Sequence, residues 1–201
     1  MTNQMVFIPP TITLETEKVL LRPIEEKDFD SFHALAQDQE MWKYFTLNLA
    51  DREHLQKWMD TAFKDRDADT RRPFTIIEKS SGRIAGSSSM GNISYHDLRC
   101  EIGWSWLGKE FRGTDVNRHA KYSMLRLAFD DLQFERVEFK TDFQNERAKN
   151  GLRKVGGVEE GVLRSHMTMW NDRRRDSIYF SIIKKEWPVL KQTIFNDIQG
   201  A

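Results

Sequence analysis

The chain has 201 residues, enough to bury one sizeable core, and the size relation for domains predicts a single domain over residues 1–201. Its 31 basic and 31 acidic side chains cancel, so no overall field draws it to nucleic acid or to an anionic membrane. A single cysteine, Cys100, excludes an internal disulfide framework, and no stretch approaches the ~20 apolar residues that a membrane span requires. Met1 to Thr13 has no basic cluster ahead of a long apolar run, so no secretory leader is expected and a reducing cytoplasm is the predicted setting.

No internal repeat or low-complexity tract interrupts the chain. Val19 to Arg22 reads as a strand ended by Pro23, and Asp28 to Ala36 as an amphipathic helix with Phe29, Phe32, His33 and Ala36 on one side. Asp51 to Lys64 repeats the helical pattern through Leu55, Trp58, Met59 and Ala62, with Asn48 as the expected cap. From Pro73 the period changes to two. Phe74 to Ile77, Ile84 to Ile93 after the turn at Ser80 to Gly82, and Glu101 to Leu107 form a predicted antiparallel meander.

A helix is predicted from Val116 to Phe129, because Ala120, Met124, Leu127 and Ala128 share a face. Arg136 to Thr141 is a further strand. Asn145 to Val155 is a helix opened by Asn145 and closed by Gly156-Gly157. Val158 to Met167 and Ser177 to Ile183 make a terminal hairpin around the polar turn Trp170 to Arg175. The order β-α-α-β-β-β-α-β-α-β-β is that of a layered α/β (α+β) fold with a mixed sheet, not a doubly wound one.

The segment Arg112-Gly113-Thr114-Asp115-Val116-Asn117-Arg118 carries a strand into a helix, so it presents unpaired N–H groups and the positive end of a helix dipole. With Arg112 and Arg118 adding charge, a diphosphate is the ligand such a loop suits; an ordinary strand-to-helix turn with surface arginines has the same local appearance. The five histidines show neither a helical pair nor a Cys/His ligand spacing, so no metal is expected, and no Gly-x-Ser-x-Gly nucleophile motif is present.

The neighbourhood of the loop resembles the GNAT superfamily of N-acetyltransferases. The likeness runs through Glu101-Ile102-Gly103-Trp104-Ser105-Trp106-Leu107-Gly108, Arg112-Gly113-Thr114, Val116-Asn117, Thr141-Asp142, Asn145, Arg147 and Glu160 to Arg164. It continues through Arg175-Asp176-Ser177, Tyr179 and Glu186-Trp187-Pro188, and is similar to the branch of the ribosomal-protein alanine acetyltransferases. The family's pyrophosphate loop reads Arg or Gln, two residues, Gly, one residue, then Gly or Ala. This chain places Arg112, Asp115 and Asn117 on those positions, so two of the three depart from the pattern.

The resemblance implies a mostly antiparallel twisted sheet of about seven strands, splayed between the fourth and fifth, with helices on both faces. It implies acetyl-CoA as cosubstrate: the diphosphate over Arg112 to Arg118, pantetheine along Trp104, Ser105 and Trp106, and Asn145 bonded to the pantetheine arm. Asn145 also suits a helix cap. A bulge in the strand would free N–H groups to polarise the thioester. The expected partners are acetyl-CoA and an amine acceptor, a protein N-terminus or a small molecule; a homodimer is compatible, and nucleic acid or a membrane is not expected.

Transfer to an amine requires its neutral form, yet an α-amino group titrates near ~8 and a lysine near ~10.4, so a base is needed. Glu101, placed eleven positions before Arg112 as in the histone-acetylating branch, is the expected base; a salt-bridged strand carboxylate is the alternative. Strand alternation puts Glu101, Gly103 and Ser105 on one face and Ile102, Trp104 and Trp106 on the other. The family's tyrosine acid, seven residues after the asparagine, is replaced by Leu152, and the intervening serine position is Ala148. Those changes and Asp115 motivate a rival reading, an acyl-CoA-binding sensor without turnover. Glycine at 115 would allow closer backbone approach, so Asp115→Gly is expected to tighten acetyl-CoA binding. Trp42, Tyr44, Phe45 and Trp58 lie where the family builds its acceptor pocket, although core packing accounts for most of them. The run Arg173-Arg174-Arg175, with Arg164 and His166, suits an acidic acceptor or a solvated turn.

Overall fold

The structure, a computed structural model, describes residues 7–198. Eight strands form one sheet: β1 (Leu14–Glu15), β2 (Val19–Pro23), β3 (Arg71–Glu78), β4 (Arg83–Ser94), β5 (Arg99–Leu107), β6 (Arg136–Asp142), β7 (Val158–Thr168) and β8 (Arg174–Ile183). Their order is β1-β2-β3-β4-β5-β6-β8-β7. Every pairing is antiparallel except β5 with β6. The seven expected strands are all present, and the short β1 is the addition. The predicted splay between the fourth and fifth strands therefore lies between β5 and β6. Their pairing runs from Arg99 opposite Arg136 to Glu101 opposite Glu138 and goes no further.

Five α-helices accompany the sheet: α1 (Phe29–Leu35), α2 (Arg52–Asp67), α3 (Val116–Arg126), α4 (Glu146–Lys154) and α5 (Trp187–Thr193). The cap of α2 is Asp51, whose carboxylate accepts the His54 N–H at 3.0 Å. Asn48, the expected cap, instead accepts from the Ala50 N–H and donates to Gln39, shaping the turn ahead of the helix. Such a cap contributes about 1 kcal/mol. Helix α3 passes into a π-helical turn, Leu127–Asp131, which accounts for the predicted extension to Phe129. Asn145 caps α4 by accepting the Ala148 N–H at 3.0 Å, and Gly156, at φ +91°, ends it. Helix α5, with Pro188 in its first turn, has no counterpart in the sequence-based order.

Two cores lie on opposite faces of the sheet. On one, Val116, Ala120 and Met124 of α3 and Trp187 of α5 pack with Ile102, Val137, Phe139 and Phe180. On the other, Phe32, Trp42, Trp58 and Met59 from the α1–α2 region surround Trp106. Trp106 meets Phe32, Trp42 and Trp58 edge-on, at centroid distances of 5.2, 5.6 and 6.2 Å. Such pairs add about 0.5–1.5 kcal/mol each beyond area burial. Trp42 and Trp58 are thus core residues, and they brace β5 from the side opposite α3.

Candidate active site at the β5–β6 seam

In the β4–β5 register Ser89 faces Gly103 and Ser87 faces Trp106, so Trp104 and Ser105 together stand against Ser88. This is a bulge, and Trp104 adopts φ +52° within it. The left-handed conformation costs a side-chain-bearing residue about 1–2 kcal/mol, which the packing around it must hold in place. The extra residue also reverses the alternation along the strand. Ile102 packs on the α3 side, and the Ser105 hydroxyl meets Lys121 of α3 at 2.7 Å, whereas Trp106 enters the α1–α2 core. The expected grouping of Glu101 with Ser105, and of Ile102 with Trp104 and Trp106, is therefore incorrect. Glu101, Trp104 and Trp106 share the α1–α2 face, and Ile102 and Ser105 share the α3 face.

Glu101 sits at the last paired position before the strands part, with 3 % of its surface exposed. Its Oε2 accepts from Asn92 Nδ2 at 2.7 Å and from Lys140 Nζ at 2.9 Å. Oε1 lies beside Gly103, where a Cβ would approach it to 2.8 Å, so this rotamer requires glycine. Trp104 lies over Gly91, with the Arg71 guanidinium 4.9 Å and the Lys140 ammonium 5.9 Å from its ring centroid. Arg71 is nearly buried and pairs with Asp65 at 3.2 Å.

Strand β8 supplies the facing wall. Tyr179 lies opposite Lys140 and Ser177 opposite Asp142, and His166 of β7 packs edge-on against Tyr179 at 5.9 Å. Among the described residues, Arg175 Nε, His166 Nδ1 and Ser177 Oγ are buried without a hydrogen-bond partner. Burial holds Arg175 and His166 below their ordinary values, with Lys140 and Arg175 adding to the effect on His166. Burial pushes Tyr179 up. The result is two buried carboxylates, Glu101 and Asp142, the second paired with Arg173, beside donors with unused capacity. The tip of the hairpin crosses to the α1–α2 region, where Trp170 Nε1 donates to the Trp42 carbonyl at 3.0 Å. Arg71, Asn92, Lys140 and Ser177 went unflagged as site residues in the sequence. Only the register that sets β6 and β8 beside β5 reveals them.

The Arg112–Arg118 loop lies at the far end of β5. Gly113 has φ +76°, the one position in the loop that needs glycine's freedom. The first intrahelical bond of α3 runs from the His119 N–H to the Asp115 carbonyl, so the N–H groups of Val116, Asn117 and Arg118 precede the helical ladder. Thr114 Oγ1 donates to the Phe111 carbonyl, and the Val116 side chain is buried. Asp115 has φ −73° and does not cap the helix; its carboxylate turns outward to Lys18, which holds its pKa below the usual range. Both arginines are engaged elsewhere. Arg112 donates to the Leu107 carbonyl at 2.9 Å and to Asp38 at 2.7 Å, and Arg118 donates to the Ile194 carbonyl and to Asp197. The anion-attracting character of this loop therefore rests on backbone N–H groups and the helix dipole.

Arg112 and Asn145 line one groove of about 370 Å³ with Lys43, Tyr44, Gln144 and Arg147. Asn145 is buried, and its cap uses Oδ1. From the α3 side Lys121 reaches into the seam, with its Nζ 2.7 Å from Ser105 Oγ, 3.5 Å from Ser88 Oγ and 5.8 Å from the centroid of Phe139. Burial lowers its pKa to about 7. Among the described residues no helix is long and apolar enough to cross a membrane.

Residues 18–158 match the family model described as an acetyltransferase (GNAT) domain. YdaF of Bacillus subtilis (strain 168), which carries the provisional name ribosomal N-acetyltransferase, is 28 % identical over 187 residues, covering 85 % of this chain and 94 % of YdaF. The crystal structure of a GCN5-related N-acetyltransferase from Brucella melitensis superposes with a TM-score of 0.86 at 25 % identity, covering 98 % of this chain and 90 % of that one. Mycobacterium smegmatis RimJ, solved in complex with CoA-disulfide, shares the fold with a TM-score of 0.79 at 18 % identity, covering 95 % and 98 %. The name of YdaF falls in the ribosomal-protein branch that the sequence resembles. With the parted β5–β6 pair, the bulge and the family match in agreement, the chain belongs to the GNAT acetyltransferase family.

Proposed function

We propose that this chain transfers an acetyl group from acetyl-CoA directly to a primary amine, on a protein N-terminus or a small molecule. The observation that carries the reading is the coincidence of a bulged, unpaired stretch of β5 with a buried carboxylate at the point where β5 and β6 part. The diphosphate would rest on the loop at Gly113 to Asp115 and on the first-turn N–H groups of Asn117 and Arg118, that of Val116 being donated to Thr114 Oγ1. Pantetheine would follow Trp104 to Trp106, with the Asn145 Nδ2 donor left free by its cap to hold the arm. The unpaired backbone of the bulge would polarise the thioester carbonyl and bear the developing oxyanion.

Glu101 would take the proton from the attacking nitrogen through Oε1, directly or by one water, because Oε2 is committed to Asn92 and Lys140. The donors on β7 and β8 would orient the acceptor. A thiol-release assay over peptides and small amines tests the reading. Glu101→Gln is expected to lower turnover about 10²–10⁴-fold while acetyl-CoA affinity stays unchanged. Tight acetyl-CoA binding with silence across every amine would instead favour the sensor, a reading supported by the absence of hydroxyls at Ala148 and Leu152.

A further inference from the structure

We propose that Lys121 is the acid that delivers a proton to the coenzyme A sulfur as it leaves, working across the seam from Glu101. The proposal rests on the acetyl-transfer reading. It starts from an anomaly in the core. Lys121 is buried on α3 among Ala120, Met124 and Leu125, where an apolar side chain would avoid the cost of desolvating an ammonium. No carboxylate lies within ion-pairing distance of it in the described structure. Its partners are the hydroxyls of Ser88 on β4 and Ser105 on β5 and the ring face of Phe139 on β6. The ammonium thus bridges β5 and β6 in the stretch where they no longer pair, beside the bulge that would hold the thioester. Glu101 faces the same gap from the opposite side of the sheet. Helix α4 offers no rival, since its positions 148 and 152 are Ala and Leu.

Burial makes this lysine suited to the task. A coenzyme A thiol titrates near ~8.5, so an ordinary lysine at ~10.4 would give up its proton uphill. At about 7, the Lys121 ammonium gives it downhill by roughly thirtyfold. Of the groups packed against it, Ser88, Ser105 and Phe139 are neutral, and Glu101 is the one charge that acts on it, raising its pKa against the larger effect of burial. The protons balance. The amine forms the C–N bond and loses a proton to Glu101; the C–S bond breaks with its electron pair on sulfur; Lys121 protonates that sulfur. Glu101 then releases its proton to solvent and Lys121 takes one up, which restores both groups.

The decisive measurement needs no acceptor: the thiolate absorbance of bound coenzyme A, titrated with pH in the wild type and in Lys121→Met. Below about pH 7, where Lys121 keeps its ammonium, the thiolate fraction of the bound coenzyme is expected to be at least tenfold higher in the wild type than in the variant. In turnover, Lys121→Met should lower kcat about 100-fold or more, as for loss of a general acid, with the KM for acetyl-CoA within about threefold. Lys121→Gln, which keeps a hydrogen bond to Ser105, should lose kcat equally, and both losses should shrink with an aryl acetyl thioester whose thiolate leaves unprotonated. Equal thiol acidity in the two proteins, or a kcat loss undiminished with the aryl thioester, overturns the proposal. So does full acetylation of Lys121, found by mass spectrometry, that leaves turnover unchanged, since an amide nitrogen has no ammonium proton to give. Wild-type silence toward every amine removes the transfer reading, and the thiol titration still decides separately whether Lys121 meets the sulfur.

Discussion

The two ends of β5 use charge in opposite ways. At the Arg112–Arg118 loop each charged side chain is spent on the protein itself: Arg112 on Asp38, Asp115 on Lys18, Arg118 on Asp197. What that loop offers a ligand is backbone. At the seam, Glu101 keeps one oxygen uncommitted, Lys121 has two hydroxyls and the Phe139 ring for partners, and Arg175 and His166 carry unpartnered buried nitrogens. A motif identified by its arginines thus presents N–H groups rather than free side-chain charge, while side chains with unused capacity are concentrated where the sheet opens.

The sharpest way to break this contrast is Glu101→Gln. If the seam holds the chemistry, kcat falls about 10²–10⁴-fold with cofactor affinity unchanged, measured by thiol release and calorimetry. A residual rate within about threefold would move the base elsewhere.

A second test uses stability. The folded-state pKa of Lys121 is depressed, to about 7 from 10.5, so between those values the unfolded chain binds the extra proton. Lys121 therefore costs full stability below about 7, and the cost is relieved as pH rises toward 10.5. Denaturant unfolding of wild type minus Lys121→Met should show that slope, with the variant the more stable at pH 6 to about 7. A flat difference would place Lys121 in contact with water.

Gly91→Ala probes the cover of Glu101. A Cβ there would stand 2.6 Å from the Trp104 ring, so the ring must move off its stack with Arg71 and Lys140. The expected cost is about 1–3 kcal/mol in unfolding free energy, with a raised acceptor KM. The smallest effect is expected from Asp115→Gly. Since Asp115 already has a helical φ and its charge is met by Lys18, glycine has little backbone freedom to add. Acetyl-CoA affinity should rise by less than about threefold; weaker binding by calorimetry would mean that the Asp115–Lys18 pair shapes the loop.

Much of this was legible beforehand because it rests on local rules. Apolar patterning and turn signals located seven strands, Asn145 and Gly156-Gly157 bounded α4, and the family resemblance pointed to Glu101, the carboxylate at the parting of β5 and β6. The failures share a cause. Asn48 was expected to cap α2 because it is a good capping residue, but Asp51 stands next to the first turn. Alternation was carried through Trp104, and a bulge depends on the neighbouring strand as much as on its own residues.

The amino-acid sequence by itself determined the order of seven strands and the four helices among them, their periods, the cap of α4 and the family resemblance, most of which follow from residues within a turn or two of one another. Tertiary structure alone decided which face Ser105 presents, that Arg112 and Arg118 are tied to Asp38 and Asp197, and that Lys140 meets Glu101 across 39 positions of chain. It also placed Lys121 in the seam. Helical periodicity reads Lys121 as one cation beside a core stripe, and only the parting of β5 from β6 turns the burial of that cation into chemistry.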